Sequence, residues 1–371
     1  MLKSILKNLS NIPGWRTNRK IVIIESDDWG SIRMPSNFVR ETLETKYVSM
    51  GDQERQRYTK YDTLANEADF EALYETLTQF KDINGKHPVF TAVSVVANPD
   101  FDKIKEANFE KYFYEPFNTT LERYGHENTF KMWQEGKAQN LFVPQFHGRE
   151  HLNVLVWMRQ LRAKESSTME AFKLNCWGFE NKNKFNIDYQ AAFDLELPSD
   201  VVDQKTVIQK GLEMFEQIHG YKADFFVPPN GPFNNKLEMT AALSGIKYMS
   251  TSKIQSEPQG QGIQKKRLHY LGQKNASGQL YITRNCFFEP SAPGKDWVSS
   301  CMNDIENAFK WGKPAVISSH RVNFIGGIVE NNRTNSLAAL TTLLTQIQTH
   351  WPNVEFMTSS DLGDVITKSR K

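Results

Sequence analysis

Two carboxylates stand side by side where an apolar run ends: IVIIE is followed by Ser26, Asp27, Asp28, Trp29 and Gly30. Charge in such a place is costly to bury and is kept where it binds or reacts. Neighbours on a straight strand face opposite sides, but a turn at the strand end can bring both to one opening. A second cluster follows the run LFVPQF, where His147, Gly148, Arg149, Glu150 and His151 lead into LNVLVWMRQL, which has helical spacing. Two histidines four apart on the first turn of a helix share a face and can bind one metal ion through their ring nitrogens. The aspartate pair would add an oxygen ligand from another strand. The run AVISS delivers His320 and Arg321, and a histidine there can act as a general acid because its pKa lies near neutrality. FFVPP turns through Asn230, Gly231 and Pro232, a stiff loop suited to walling a groove. Taken singly, each feature has a plainer reading as a helix cap, an incidental pair, a structural histidine or a turn. What joins them is that each follows an apolar run directly.

The elements that must position these residues alternate. Short runs rich in Val, Ile and Phe at 21–25, 88–95, 141–146, 224–228, 246–251, 314–319 and 354–358 read as strands. Segments with helical spacing lie between them, at 67–81 with Asn66 as N-cap, at 205–219 ended by Gly220, after Met302 up to Gly312 and Pro314, and from Asn335 or Ser336 to Pro352. This order predicts an α/β fold, an irregular (β/α)7-8 barrel that carries its chemistry at the C-terminal ends of its strands. Three stretches, about 45–65, 160–200 and 252–300, lack the apolar periodicity for a core of their own. They read as long loops or small β additions on a single domain spanning 1–371.

The chain has 371 residues, 39% hydrophobic and 24% charged, with a formal net charge of +2, a composition that predicts a globular protein. The absence of a run of five like charges and of a basic stripe threaded with aromatics argues against nucleic acid as the partner. Cys176, Cys286 and Cys301 show no CxxC spacing, which argues against a disulfide framework and a cysteine zinc site. Lys3 and Lys7 interrupt the first apolar residues, so no signal peptide or membrane span is read there and a cytoplasmic location is expected. Leu2, Ile5, Leu6 and Leu9 could instead form a short helix in peripheral contact with a membrane face, although packing on the chain's own domain is the commoner use.

Together these motifs resemble carbohydrate esterase family 4, the NodB-like polysaccharide deacetylases, in residue type and in order along the chain. The family's TFDD is matched by ESDD at 25–28, its HxxxH by HGREH at 147–151, its proline-containing third motif by VPPNG at 227–231 and its final LxH by ISSH at 317–320. The ending VEFMTSSDLGDVI extends the resemblance over about 21–360. The resemblance implies a metal held by Asp28, His147 and His151, with Asp27 as catalytic base and His320 as catalytic acid. It implies deacetylation of a carbohydrate or lipid-linked sugar, N-acetyl more than O-acetyl. Water would attack the acetyl carbonyl as Asp27 takes its proton, and His320 would protonate the departing amine or hydroxyl. Ligand softness favours zinc, with iron, cobalt, manganese or nickel also compatible.

The departures are specific. Val227 stands where the family has an arginine that orients the catalytic aspartate; Arg149, Arg284 and Arg321 are the candidate replacements, with Arg321 favoured because it follows His320. The family's Asp and Trp motif is absent from YMSTSKIQ, and Glu25 adds a third acid beside the pair. Trp29, Arg149, Asn230 and Arg321 are taken as substrate-binding candidates, while Trp177, Trp297, Glu180 and Asp194 invite a role without compelling one. Two other readings stand beside this one. A glycoside hydrolase would use two carboxylates and need no metal, leaving the histidines unexplained; a degenerate carbohydrate-binding protein would leave the retained motif residues unexplained.

Overall fold

A computed structural model describes residues 10–370. The N-terminal segment carrying Leu2, Ile5, Leu6 and Leu9 lies outside the described residues. Among those described, no helix is long and apolar enough to cross a membrane.

Nine parallel strands form the main sheet: β1 (Lys20–Trp29), β2 (Phe90–Val95), β3 (Phe142–Gly148), β4 (Phe225–Phe226), β5 (Tyr248–Thr251), β6 (Leu280–Thr283), β7 (Cys286–Phe287), β8 (Ala315–His320) and β9 (Val354–Phe356). Their order is β6-β5-β4-β3-β2-β1-β8-β7, with β9 paired to the start of β1 through Lys20–Val22. The near-continuous burial of β1, β2 and β8 fits parallel strands covered on both faces. The fold is α/β, an irregular barrel of the expected kind. Its two edge strands, β6 and β7, are consecutive in the chain, so the residues Arg284 and Asn285 close the barrel covalently at a seam. Asn285 secures that seam to β8: its side chain donates to the Pro314 carbonyl at 2.9 Å and accepts from the Val316 amide at 2.8 Å.

The helices follow their sequence signals where a cap is present. Asn66 accepts from the Asp69 amide and Asp69 returns the bond, a capping box opening the helix Glu67–Thr78, whose Phe70, Leu73 and Leu77 are buried. The helix Asp200–His219 ends at Gly220 in the left-handed conformation, φ +74°. The helix Glu330–His350 begins earlier than Asn335, because polar residues without apolar spacing extend its first turn.

The three stretches read as long loops or small β additions hold both and also further regular elements. The first contains the helix Gln53–Tyr61, which has little apolar periodicity because it packs through Arg57 and Thr59 rather than through aliphatic residues. The second includes the helix Ser166–Lys173 and then runs without regular structure. The third carries an antiparallel hairpin, Ile254–Gly260 with Ile263–Leu268, but also β6 and β7 of the main sheet. Those two strands are four and two residues long, too short to show a period.

Candidate metal centre and active site

β1 delivers its two aspartates through an irregularity. The pairing of β1 with β2 shifts register between Ser26 and Trp29, and Asp28 takes φ +77°. A left-handed non-glycine residue is strained, and here the strain turns both carboxylates toward the C-terminal mouth of the barrel.

His147 is the penultimate residue of β3, and the strand ends at Gly148, whose φ of +129° is open to glycine alone and turns the chain. His151 therefore lies in a loop, and the following helix starts only at Val154. The expectation of two histidines on a first helical turn is corrected: the turn at Gly148, not helical periodicity, brings them together. Their ring centroids are 5.0 Å apart. Trp177, 1% exposed, lies nearly parallel to His151 at 6.3 Å and backs it from the core.

The two rings converge on one carboxylate oxygen. Asp28 Oδ1 lies 3.3 Å from His147 Nε2 and 2.9 Å from His151 Nε2. His147 Nδ1 is 2.7 Å from the Val227 carbonyl, which can only accept, so Nδ1 carries the proton and Nε2 presents a lone pair to a second acceptor. Acceptors facing each other in a buried site call for a cation between them. Asp28, His147 and His151 could hold one metal ion by donor type and spacing, and the Val227 carbonyl is the outer partner such a histidine needs. Burial opposes charge on Asp28, but Arg33 outweighs it and holds the carboxylate well below its usual range. Arg33 Nη2 lies 2.9 Å from Asp28 Oδ2, and its Nε lies 3.0 Å from Asp62. Burial pushes the His151 pKa down to about 4, keeping it neutral as a ligand must be.

Beside this group stands a second, made of acids and cations. Arg284, at the barrel seam, donates from Nη2 to Asp27 Oδ1 and from Nη1 to Asp27 Oδ2, both at 2.6 Å. Its Nε reaches Glu25 at 2.6 Å. Burial works against the charge of Asp27, yet Arg284 outweighs it and lowers the pKa. For Glu25 the balance tips the other way, and burial raises its pKa despite Arg284, with Ser250 and Ser359 as further donors.

His320, at the end of β8, donates from Nδ1 to Glu289 at 2.6 Å and sets Nε2 4.0 Å from Asp27 Oδ2. Burial would depress its pKa, but Glu289 outweighs burial and raises it to about 9. Glu289 is held in turn by Arg57 at 3.1 Å and by the Asn323 amide at 2.9 Å.

The structure thus brings Asp27, Asp28, His147, His151 and His320 to one cavity of about 640 Å³, with Asn230 on its wall. Three substrate-binding expectations are corrected. Trp29 is 1% exposed and packs against Phe142 and Phe70 at 4.8 and 5.5 Å, inside the core. Arg149 is buried, pairs with Glu150 at 2.6 Å and lies over the Tyr114 ring. Arg321 is fully buried against Asp62 and the Ser31 carbonyl, so the arginine that grips Asp27 is Arg284 and not the favoured Arg321. Glu289 and Arg57 escaped the sequence reading because they come from separate insertions for which the motifs carry no signal, and Arg33 because it lies just past the ESDD motif.

No protein-family model and no curated protein matches the sequence. In fold the chain is similar to the solved structures of a probable polysaccharide deacetylase from Pseudomonas aeruginosa PAO1 (TM-score 0.49, 11% identity, covering 94% of this chain and 91% of the other) and a putative polysaccharide deacetylase from Mycobacterium smegmatis (TM-score 0.48, 11% identity, 96% and 94%). It is likewise similar to the allantoinase Puue, with TM-score 0.48, 11% identity and coverage of 94% and 91%.

Proposed function

We propose that the protein is a metal-dependent hydrolase that removes acetyl groups, N-acetyl before O-acetyl, from a carbohydrate or a lipid-linked sugar. The observation that carries this reading is the convergence of two imidazoles on Asp28 Oδ1, at 3.3 and 2.9 Å, beside a second carboxylate and a third histidine. Asp28, His147 and His151 would hold the ion, zinc by ligand type; bound there, it supplies Lewis-acid polarisation and makes water more acidic.

The remaining chemistry belongs to the chain. Asp27, ionised and fixed by the two-pronged grip of Arg284, accepts the proton of the attacking water. Its lowered pKa costs base strength, which the fixed orientation offsets. His320, kept protonated at neutral pH by Glu289, gives its Nε2 proton to the departing amine. The Arg284 grip does from the seam what the missing arginine at Val227 would do from β4.

The test is acetate release from N-acetylated amino sugars by protein loaded with zinc, compared with the Asp27→Asn and His320→Ala forms. Release by the wild type that falls in each variant without loss of bound metal supports the assignment. Equal release by all three overturns it.

A further inference from the structure

We infer that the site takes a small N-acetylated sugar or the terminal unit of a chain, and excludes internal units of a polymer. This rests on the deacetylase reading and deepens it. An open groove leaves the strand ends bare on two opposite sides. Here the cavity is ringed. Its wall takes residues from the C-terminal ends of β1, β3, β4, β5 and β8 and from the seam between β6 and β7. β9 pairs only with the start of β1, away from the mouth.

Among the described residues, neither β2 nor the stretch just after it gives a residue to the wall, and β2 lies between β1 and β3. The insertions that follow those two neighbours meet each other. Arg55, on the helix Gln53–Tyr61 after β1, pairs with Asp188, in the irregular stretch after β3. Its other contacts are Nη1 to Asp188 Oδ1 at 3.3 Å and Nη1 to the Phe179 carbonyl at 3.4 Å. Both Arg55 and Asp188 line the cavity. The pair is a clasp across the side that the described strand ends leave bare.

The wall behind the clasp is fixed. The helix Gln53–Tyr61 is tied to the floor through Arg57 on Glu289, and the next residue, Asp62, accepts from Arg321 at 2.8 and 3.0 Å. Buried ion pairs of this kind are lost only at high cost, so the helix is a wall and not a lid.

The experiment maps which acetyl groups zinc-loaded protein removes from a fully N-acetylated amino-sugar oligomer, with the monosaccharide alongside. Release from the monosaccharide or from terminal units alone is expected. In Arg55→Ala and in Asp188→Ala, internal release should rise relative to terminal release by about tenfold, the scale of steric discrimination in a pocket. Exchanging the two residues, Arg55→Asp with Asp188→Arg, should restore the terminal preference. Internal release by the wild type, or an unchanged ratio in both single variants, overturns the inference and leaves the deacetylase reading standing. Absence of acetate release from every member of the series overturns that reading and this inference together.

Discussion

Arg284 and Asp27 are joined by two parallel hydrogen bonds of 2.6 Å, although 257 residues separate them. The pair ties the seam of the barrel to the strand that carries the reactive acids. Lysine in place of Arg284 keeps the charge but loses the fork. Arg284→Lys should lower kcat/KM by about 10²-fold through misorientation of Asp27. Arg284 also holds the Asp27 pKa down, and the base works ionised, so the acid limb of the pH profile should move to higher pH. A lysine variant with full activity and an unmoved acid limb contradicts this.

The pairing of His320 with Glu289 sets the other limb. Glu289 raises the His320 pKa to about 9, and the acid works protonated, so activity should be present below that pH and fall as pH rises through it. Removing the carboxylate in Glu289→Gln takes away the raising interaction, and the alkaline limb should move to lower pH. A pH profile of kcat/KM for both proteins checks it; a limb that stays in place or moves upward contradicts it.

Gly148 makes the histidine turn. At φ +129° a Cβ would be strained and would sit 3.0 Å from the Glu150 carbonyl oxygen. Backbone strain of this kind costs about 1–3 kcal/mol. Gly148→Ala should weaken zinc affinity by tenfold or more at that scale, about 1.4 kcal/mol per decade. Calorimetric titration with zinc measures it, and an unchanged Kd contradicts the role given to the turn.

Trp29 should matter to stability and not to substrate. Buried against Phe142 and Phe70, it should cost about 3–5 kcal/mol when truncated to alanine. Trp29→Phe, a smaller change, should lower the melting temperature while leaving KM unchanged. A raised KM at constant stability contradicts the core assignment.

Much of the site was legible in the sequence because its members are strand-end residues in compact motifs: ESDD, HGREH and ISSH each carry their own signal. The path between the histidines was misread, since four-residue spacing suggests a helix and only the φ of Gly148 shows a turn. Arg284 was among the candidates, but its choice over Arg321 depends on the seam between β6 and β7, strands too short to be seen by periodicity. The helix Gln53–Tyr61 was hidden for the opposite reason. Its buried face is polar, anchored by Arg57, so hydrophobic spacing could not reveal it. Glu289 serves His320 from a stretch without regular structure, and sequence order gives no hint of that encounter.

The central claim is that Asp28, His147 and His151 form one metal site, and its most direct test is the metal-to-protein ratio after dialysis against zinc and desalting. Wild-type protein should retain close to one ion per chain, with Asp28→Ala and His151→Ala retaining almost none while keeping the wild-type circular dichroism spectrum. A wild-type chain that holds no metal, or variants that bind zinc as the wild type does, would contradict the account.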